Sequence, residues 1–176
     1  MKKHIVCIIT FVLLVNLVAL RAAETWTNFN WVALGLRMPK TNLLVGEPIP
    51  TSISCSNTFE SGRYIYGKNS ICGPWFASYR VTELASSKLI ECIYTPNPSA
   101  SGRLDILYPH KNISFQLDLA PIYHLTNAGT YTVQAMGIFT TNEIGKTLSQ
   151  QFILTTPPII VKLLSKPETN KPSQTR

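Results

Sequence analysis

Asn112-Ile113-Ser114-Phe115-Gln116-Leu117-Asp118-Leu119-Ala120-Pro121-Ile122-Tyr123-His124-Leu125-Thr126-Asn127-Ala128-Gly129-Thr130-Tyr131-Thr132-Val133-Gln134-Ala135 reads as a strand, a corner and a second strand. Ile113, Phe115, Leu117 and Leu119 alternate with Ser114, Gln116 and Asp118, the period of two that marks a strand with one buried face. Tyr131, Val133 and Ala135 open the next strand in the same rhythm. Between the two, residues 121–125 suit a single helical turn, and Asn127-Ala128-Gly129 suits a tight corner.

The same alternation extends outward in both directions. Upstream, Leu34, Leu36 and Met38 alternate with Gly35 and Arg37 until Pro39 ends the run. Leu43-Leu44-Val45-Gly46-Glu47-Pro48-Ile49 carries a glycine turn and a proline of the kind tolerated at a strand's first residue. Ile49, Thr51, Ile53 and Cys55 then share one face, with Pro50, Ser52, Ser54 and Ser56 on the other, so Cys55 is expected to point inward. Residues 57–73 are rich in Gly, Ser and Asn and read as a long connection holding a short strand at 63–66. Residues 74–83, 89–94 and 104–107 supply further strands, and 148–155 the last firm one. Residues 159–164, after Pro157-Pro158, add an edge strand. Residues 24–31 read as a polar and aromatic lead-in. No amphipathic helical pattern follows residue 22. The expectation is an all-β antiparallel sandwich of about seven to nine strands.

The N-terminus has a different character. Met1-Lys2-Lys3 precedes an uncharged apolar run from His4 to Leu20, and Arg21-Ala22-Ala23-Glu24 follows. A basic start, an apolar run and small residues before a polar stretch make a secretory signal, expected to be helical and cleaved after Ala22. The run falls slightly short of the roughly 20 residues that a spanning helix wants; the competing reading is an uncleaved anchor. No second such run exists, so no integral span is expected in the mature chain. The domain plan is therefore a signal peptide at 1–22, one sandwich at 23–164 and a flexible tail at 165–176, where prolines are the only apolar residues.

Removing the signal takes Lys2, Lys3 and Arg21 with it, which lowers the formal charge from +7 to +4. The remaining basic residues are scattered, whereas nucleic-acid binding wants a basic stripe; nucleic acid is excluded as a partner. Charged residues make up 14% of the chain, below the roughly 25% usual for soluble domains. Ser, Thr and Asn fill the surface instead, as suits an extracellular β protein. Export also leaves three cysteines, Cys55, Cys72 and Cys92, in an oxidising compartment. Spacing does not fix their pairing; Cys72–Cys92 is preferred because Cys55 has a reason to be core.

Two short motifs carry a family resemblance. Val45-Gly46-Glu47-Pro48-Ile49 is similar to a common strand entry, and Gly129-Thr130-Tyr131-Thr132-Val133 to a Gly-x-Tyr-x-Val strand, of exported bacterial immunoglobulin-like and fibronectin-like β-sandwich domains of uncharacterised function. The resemblance spans residues 32–162 and concerns fold rather than activity. It implies that Tyr131 closes the corner by bonding its hydroxyl to backbone a few residues upstream, with Gly129 supplying a permissive backbone. One departure matters. Antibody-type domains place a cysteine two residues after this tyrosine, and Val133 stands there. The usual inter-sheet disulfide is thus absent, and Cys55 is a buried thiol or pairs unconventionally.

Chemical motifs are sparse. Ile71-Cys72-Gly73-Pro74-Trp75 has Trp75 where a thioredoxin-like site needs its second cysteine, so Cys72 reads as structural. His110 and His124 lack metal-ligand spacing. There is no Gly-x-Ser-x-Gly elbow, phosphate loop or calcium loop, so no cofactor or metal is expected and the chain does not read as an enzyme. Asn112-Ile113-Ser114 is a glycosylation sequon at a strand start. The leading reading is a non-catalytic interaction module that meets a protein or cell-surface partner through loops or an open strand edge. Phe59, Arg63, Tyr64, Tyr66 and Trp75 form the candidate binding loop. A small secreted hydrolase or redox protein, or an extracellular protease inhibitor, is the alternative.

Overall fold

The computed structural model describes residues 22–68, 77–93, 102–140 and 151–166. The expected signal helix, and the expected tail beyond residue 166, lie outside the described residues. What is described is all-β, with no helix among these residues. Twelve strands run in chain order: β1 Ala23–Phe29, β2 Val32–Met38, β3 Asn42–Leu44, β4 Pro50–Asn57, β5 Arg63–Lys68, β6 Ala77–Glu83, β7 Leu89–Ile90, β8 Gly102–Leu107, β9 Asn112–Asp118, β10 Gly129–Thr140, β11 Gln151–Thr155 and β12 Ile159–Leu164.

One sheet has the order β1-β2-β4-β9. The other has the order β3-β12-β10-β6-β7, with β11 also paired to β10, and β5 and β8 make a two-stranded ribbon. Inward side chains of both sheets belong to one apolar cluster, among them Leu34, Leu36, Ile53 and Cys55 from one side and Val81, Val133 and Val161 from the other. Two sheets around a shared core are compatible with a β-sandwich.

Several expectations need correction. Twelve strands replace seven to nine, partly because long strands are broken by irregular residues: Thr156, Pro157 and Pro158 divide β11 from β12. The pairing is not wholly antiparallel, since β3 runs parallel to β12. Consequently β12 is no edge strand; it lies between β3 and β10. Residues 24–31 are no lead-in either. They form β1, paired antiparallel along β2 from Ala23↔Met38 to Phe29↔Val32, and Trp31 in the hairpin is fully buried with its ring edge-on to Phe139 at 6.1 Å. Asn30, at φ 56°, supplies the positive φ that a two-residue hairpin needs at its first position.

The corner between β9 and β10 is held by backbone and side-chain bonds together. The backbone turns over residues 119–125, with the Tyr123 N–H donating to the Leu119 carbonyl at 3.0 Å. The Tyr131 hydroxyl donates to the Asn127 carbonyl at 3.0 Å. Gly129 does not provide the unusual backbone: the residue in the left-handed region is His124, at φ 46°. A Cβ on residue 129 would meet the Tyr131 ring no closer than 3.5 Å, an ordinary contact. In the upstream motif the glycine is needed. Gly46, at φ 85°, occupies the third place of the Leu44–Glu47 turn, a place that demands positive φ. Glu47 seals the turn by accepting from the Leu44 N–H at 2.9 Å and from Lys40 Nζ at 3.1 Å. These bonds hold its carboxyl below the usual range.

The β4–β9 ladder continues into the β5–β8 ribbon with a change of register. Ser56 pairs Asn112 and Arg63 pairs Leu107, so residues 57–62 lie opposite only 108–111. Asn57, 1% exposed, pins this break. Its Nδ2 donates to the carbonyls of Ser61 at 2.8 Å and Leu107 at 2.9 Å, and its Oδ1 accepts from the Phe59 N–H at 2.9 Å. Asn57→Ala would strand three backbone groups at a buried position. It is expected to lower the unfolding free energy by about 3 kcal/mol in urea denaturation. Asn57→Asp should do no better, because a carboxylate has no proton to give the two carbonyls.

Candidate functional site

The sheet β1-β2-β4-β9 turns one face to the core and the other to solvent, and its registers align the solvent face in rows. Trp26, Gly35, Ser54 and Ser114 stand side by side across the four strands. Glu24, Arg37, Ser52 and Gln116 form the next row, and Asn28, Ala33, Ser56 and Asn112 flank them. The floor is made of small residues. Ser114 Oγ lies 3.0 Å from Ser52 Oγ and 3.2 Å from Ser54 Oγ, so the three hydroxyls satisfy one another. The result is an open groove of about 700 Å³.

Trp26 forms one wall. The point where a Cβ on residue 35 would stand is 2.7 Å from Cη2 and 2.8 Å from Cδ2, at opposite corners of the six-membered ring. That point therefore lies under the ring face, and the indole is laid flat across Gly35. Its Nε1–H donates to Glu24 Oε1 at 2.7 Å, which fixes the ring's rotation. One face packs on the glycine backbone; Trp26 as a whole is still 42% exposed. At the other end Asp118 serves the backbone, with Oδ1 accepting from the N–H groups of Ile49 at 2.7 Å and Ala120 at 3.0 Å.

The residues nominated from sequence are distributed differently. Phe59 is exposed, but Arg63 is 6% exposed with its guanidinium 4.7 Å over the Phe59 ring. Arg63 packs against the domain instead of facing solvent. Tyr64 and Tyr66 lie on β5, with side chains outside the described residues, as are Cys72 and Trp75. Asn112 is exposed at the first position of β9, on the rim of the groove, where an attached sugar would stand beside it. His110 meets Glu60 at 3.1 Å, both exposed. Among the described residues no group of three His, Cys, Asp or Glu side chains could hold a metal ion. No helix there is long and apolar enough to cross a membrane.

Cys55 is a buried free thiol, its pKa pushed up to about 12 by burial, which leaves it unreactive at ordinary pH. Tyr123 is likewise pushed up to about 12 by burial. Its hydroxyl donates to the Tyr79 carbonyl at 2.8 Å, and Tyr79 Oη is bonded to Thr51 Oγ1 at 2.9 Å. These groups hold the sheets together rather than offering chemistry. Cys92 is disulfide-bonded, to a partner outside the described residues. No protein-family model matches the chain, and no curated protein matches its sequence.

Two outcomes are expected. Gly35→Ala puts a methyl group into the Trp26 ring, so the indole must lift. Acrylamide quenching of tryptophan emission should rise, and stability should fall by about 1–3 kcal/mol. In the chain freed of residues 1–22, iodoacetamide should leave the native protein unlabelled at pH 8. After denaturation without reductant it should add one label, at Cys55, with peptide mapping joining Cys92 to Cys72.

Proposed function

We propose that this chain is an exported, non-catalytic immunoglobulin-like binding module whose ligand seat is the solvent face of the sheet β1-β2-β4-β9. Export is supported by the basic start, apolar run and small residues of positions 1–22. The immunoglobulin-like reading is supported by strand order. Assigning β2, β4, β6, β7, β9, β10 and β12 the letters A, B, C, C′, E, F and G gives A-B-E in one sheet and G-F-C-C′ in the other, the order of that fold without its strand D. Tyr131 then stands at the start of strand F with its hydroxyl turned back to Asn127, the corner bond of the same family. Strand β1, added outside strand A, widens the sheet that carries the groove.

A single observation carries the binding role: Trp26 is clamped flat on Gly35 by packing and by Glu24, with its opposite face bare beside a polar floor. A large aromatic ring left in solvent and immobilised in this way is the usual anchor of a recognition surface. The sheet face is preferred to the 57–73 connection on this observation, since Arg63 of that connection packs on Phe59.

The test uses fluorescently labelled wild-type protein and a Ser54→Arg variant, which fills the groove floor from a half-buried position. Saturable wild-type binding to the surface of the exporting cells, weakened at least tenfold in the variant with an unchanged melting temperature, is the expected result. Equal binding by both proteins would remove the sheet face from consideration.

A further inference from the structure

Resting on that reading of the sheet face, we infer that the ligand is a neutral carbohydrate chain, with one sugar ring stacked on the bare face of Trp26. The groove combines two kinds of group that this ligand class needs together. A pyranose ring has an apolar face of C–H bonds and a rim of hydroxyls. The first packs on a flat π surface, and the second seeks planar polar side chains able to give and take hydrogen bonds. Trp26 offers the surface. In the adjacent row Arg37 offers donors, Glu24 acceptors, and Gln116 both, and the hydroxyls of Ser52 and Ser54 line the floor between them.

Other ligand classes fit less well. Apart from Asp118, whose Oδ1 is occupied by backbone N–H groups, the groove pairs one carboxylate with one guanidinium. It has no surplus of positive charge for a polyanion. Its floor of hydroxyls gives an apolar peptide or lipid nothing to displace water from. A cation over the indole would face a single aromatic wall rather than a cage. The dimensions suit a chain rather than one ring: from Trp26 on β1 to Ser114 on β9 is three strand spacings, roughly 14 Å. The groove is open at the surface, so a polymer can enter sideways.

The full exported protein is tested in two ways. Affinity electrophoresis in gels containing dextran, xylan or mannan should show retardation by at least one polysaccharide. Trp26→Ala should abolish it, with at least a tenfold loss of affinity, and Trp26→Phe should restore part. In parallel, the cell-surface binding blocked by Ser54→Arg is measured on cells treated with sodium periodate, which cleaves vicinal diols of sugars, or with proteinase K. Periodate should remove the binding and proteinase K should spare it. Binding removed by proteinase K and spared by periodate would overturn the carbohydrate assignment while leaving the sheet face as the seat. Retardation unchanged by Trp26→Ala, or seen only in gels containing heparin, would overturn it as well. If Ser54→Arg binds cells as wild type does, the sheet-face reading itself has failed, whatever periodate does.

Discussion

The side-chain amide of Asn57 holds the one place where the main ladder of this domain changes register. An antiparallel pair slips easily wherever neither face dictates its alignment, and a two-residue excess on one strand invites such a slip. The amide removes that freedom, because it bonds to the chain on both sides of the break, at Ser61 and at Leu107. The backbone contributes as well: the Asn57 N–H donates to the Lys111 carbonyl, and the next N–H, of Thr58, donates to the carbonyl of Trp31. The break is thereby tied to the hairpin between β1 and β2, whose tryptophan is wedged against Phe139 of the opposite sheet. The rows of the solvent face inherit their alignment from this knot, since Ser54 faces Ser114 only while β4 and β9 keep their register.

A second set of bonds ties the two sheets together. Thr51 of β4 reaches Tyr79 of β6, and Tyr123 of the corner reaches the backbone of Tyr79. Each is worth about 1 kcal/mol net, and more to the uniqueness of the packing, because an orphaned hydroxyl in this core would cost more than the bond returns. Thr156 does comparable work between strands: its N–H and carbonyl meet Ala135 and Gln134, and its hydroxyl accepts from the Ala135 N–H. That closes the gap left where the two prolines interrupt pairing with β10. With such ties in place Cys55 has no structural need of a partner and remains a small apolar group.

Much of the fold was legible wherever an apolar residue recurred at every second position. That rhythm located β2, β4, β6 and β10 and turned Cys55 inward. It failed on β1 because the half-buried positions of that strand are Ala23, Thr25 and Thr27, and the large side chains, Trp26 and Phe29, are exposed. Polarity there runs against burial, and only pairing with β2 makes the segment a strand. The rhythm also located β9 but overstated its burial. The apolar alternation is clear, yet Phe115 is 39% exposed, since β9 borders the sheet. Gly129 drew notice because glycine so often marks positive φ, but the strained residue at the corner is His124, and no sequence rule separates the two. The groove was half legible: Ser52, Ser54, Ser114 and Gln116 could be set on outward faces, while their alignment with Trp26 and Gly35 is a matter of register, which is tertiary.

The same face collects choices that a purely structural sheet would avoid. Glycine in mid-strand costs about 0.5–1 kcal/mol against alanine, and at position 35 any larger residue would displace the indole. An exposed tryptophan on a sheet face exposes apolar surface that a threonine would not, and serine is a poor filler for strand positions where β-branched residues pack better. Each of these could be a single concession. In the row Trp26, Gly35, Ser54 and Ser114 the ring and the glycine compensate each other by packing and the serine hydroxyls by bonding, while the floor stays low. Departures from local preference clustered at one spot are what the proposed binding surface would leave in the structure. The low floor and the flat wall together shape the groove.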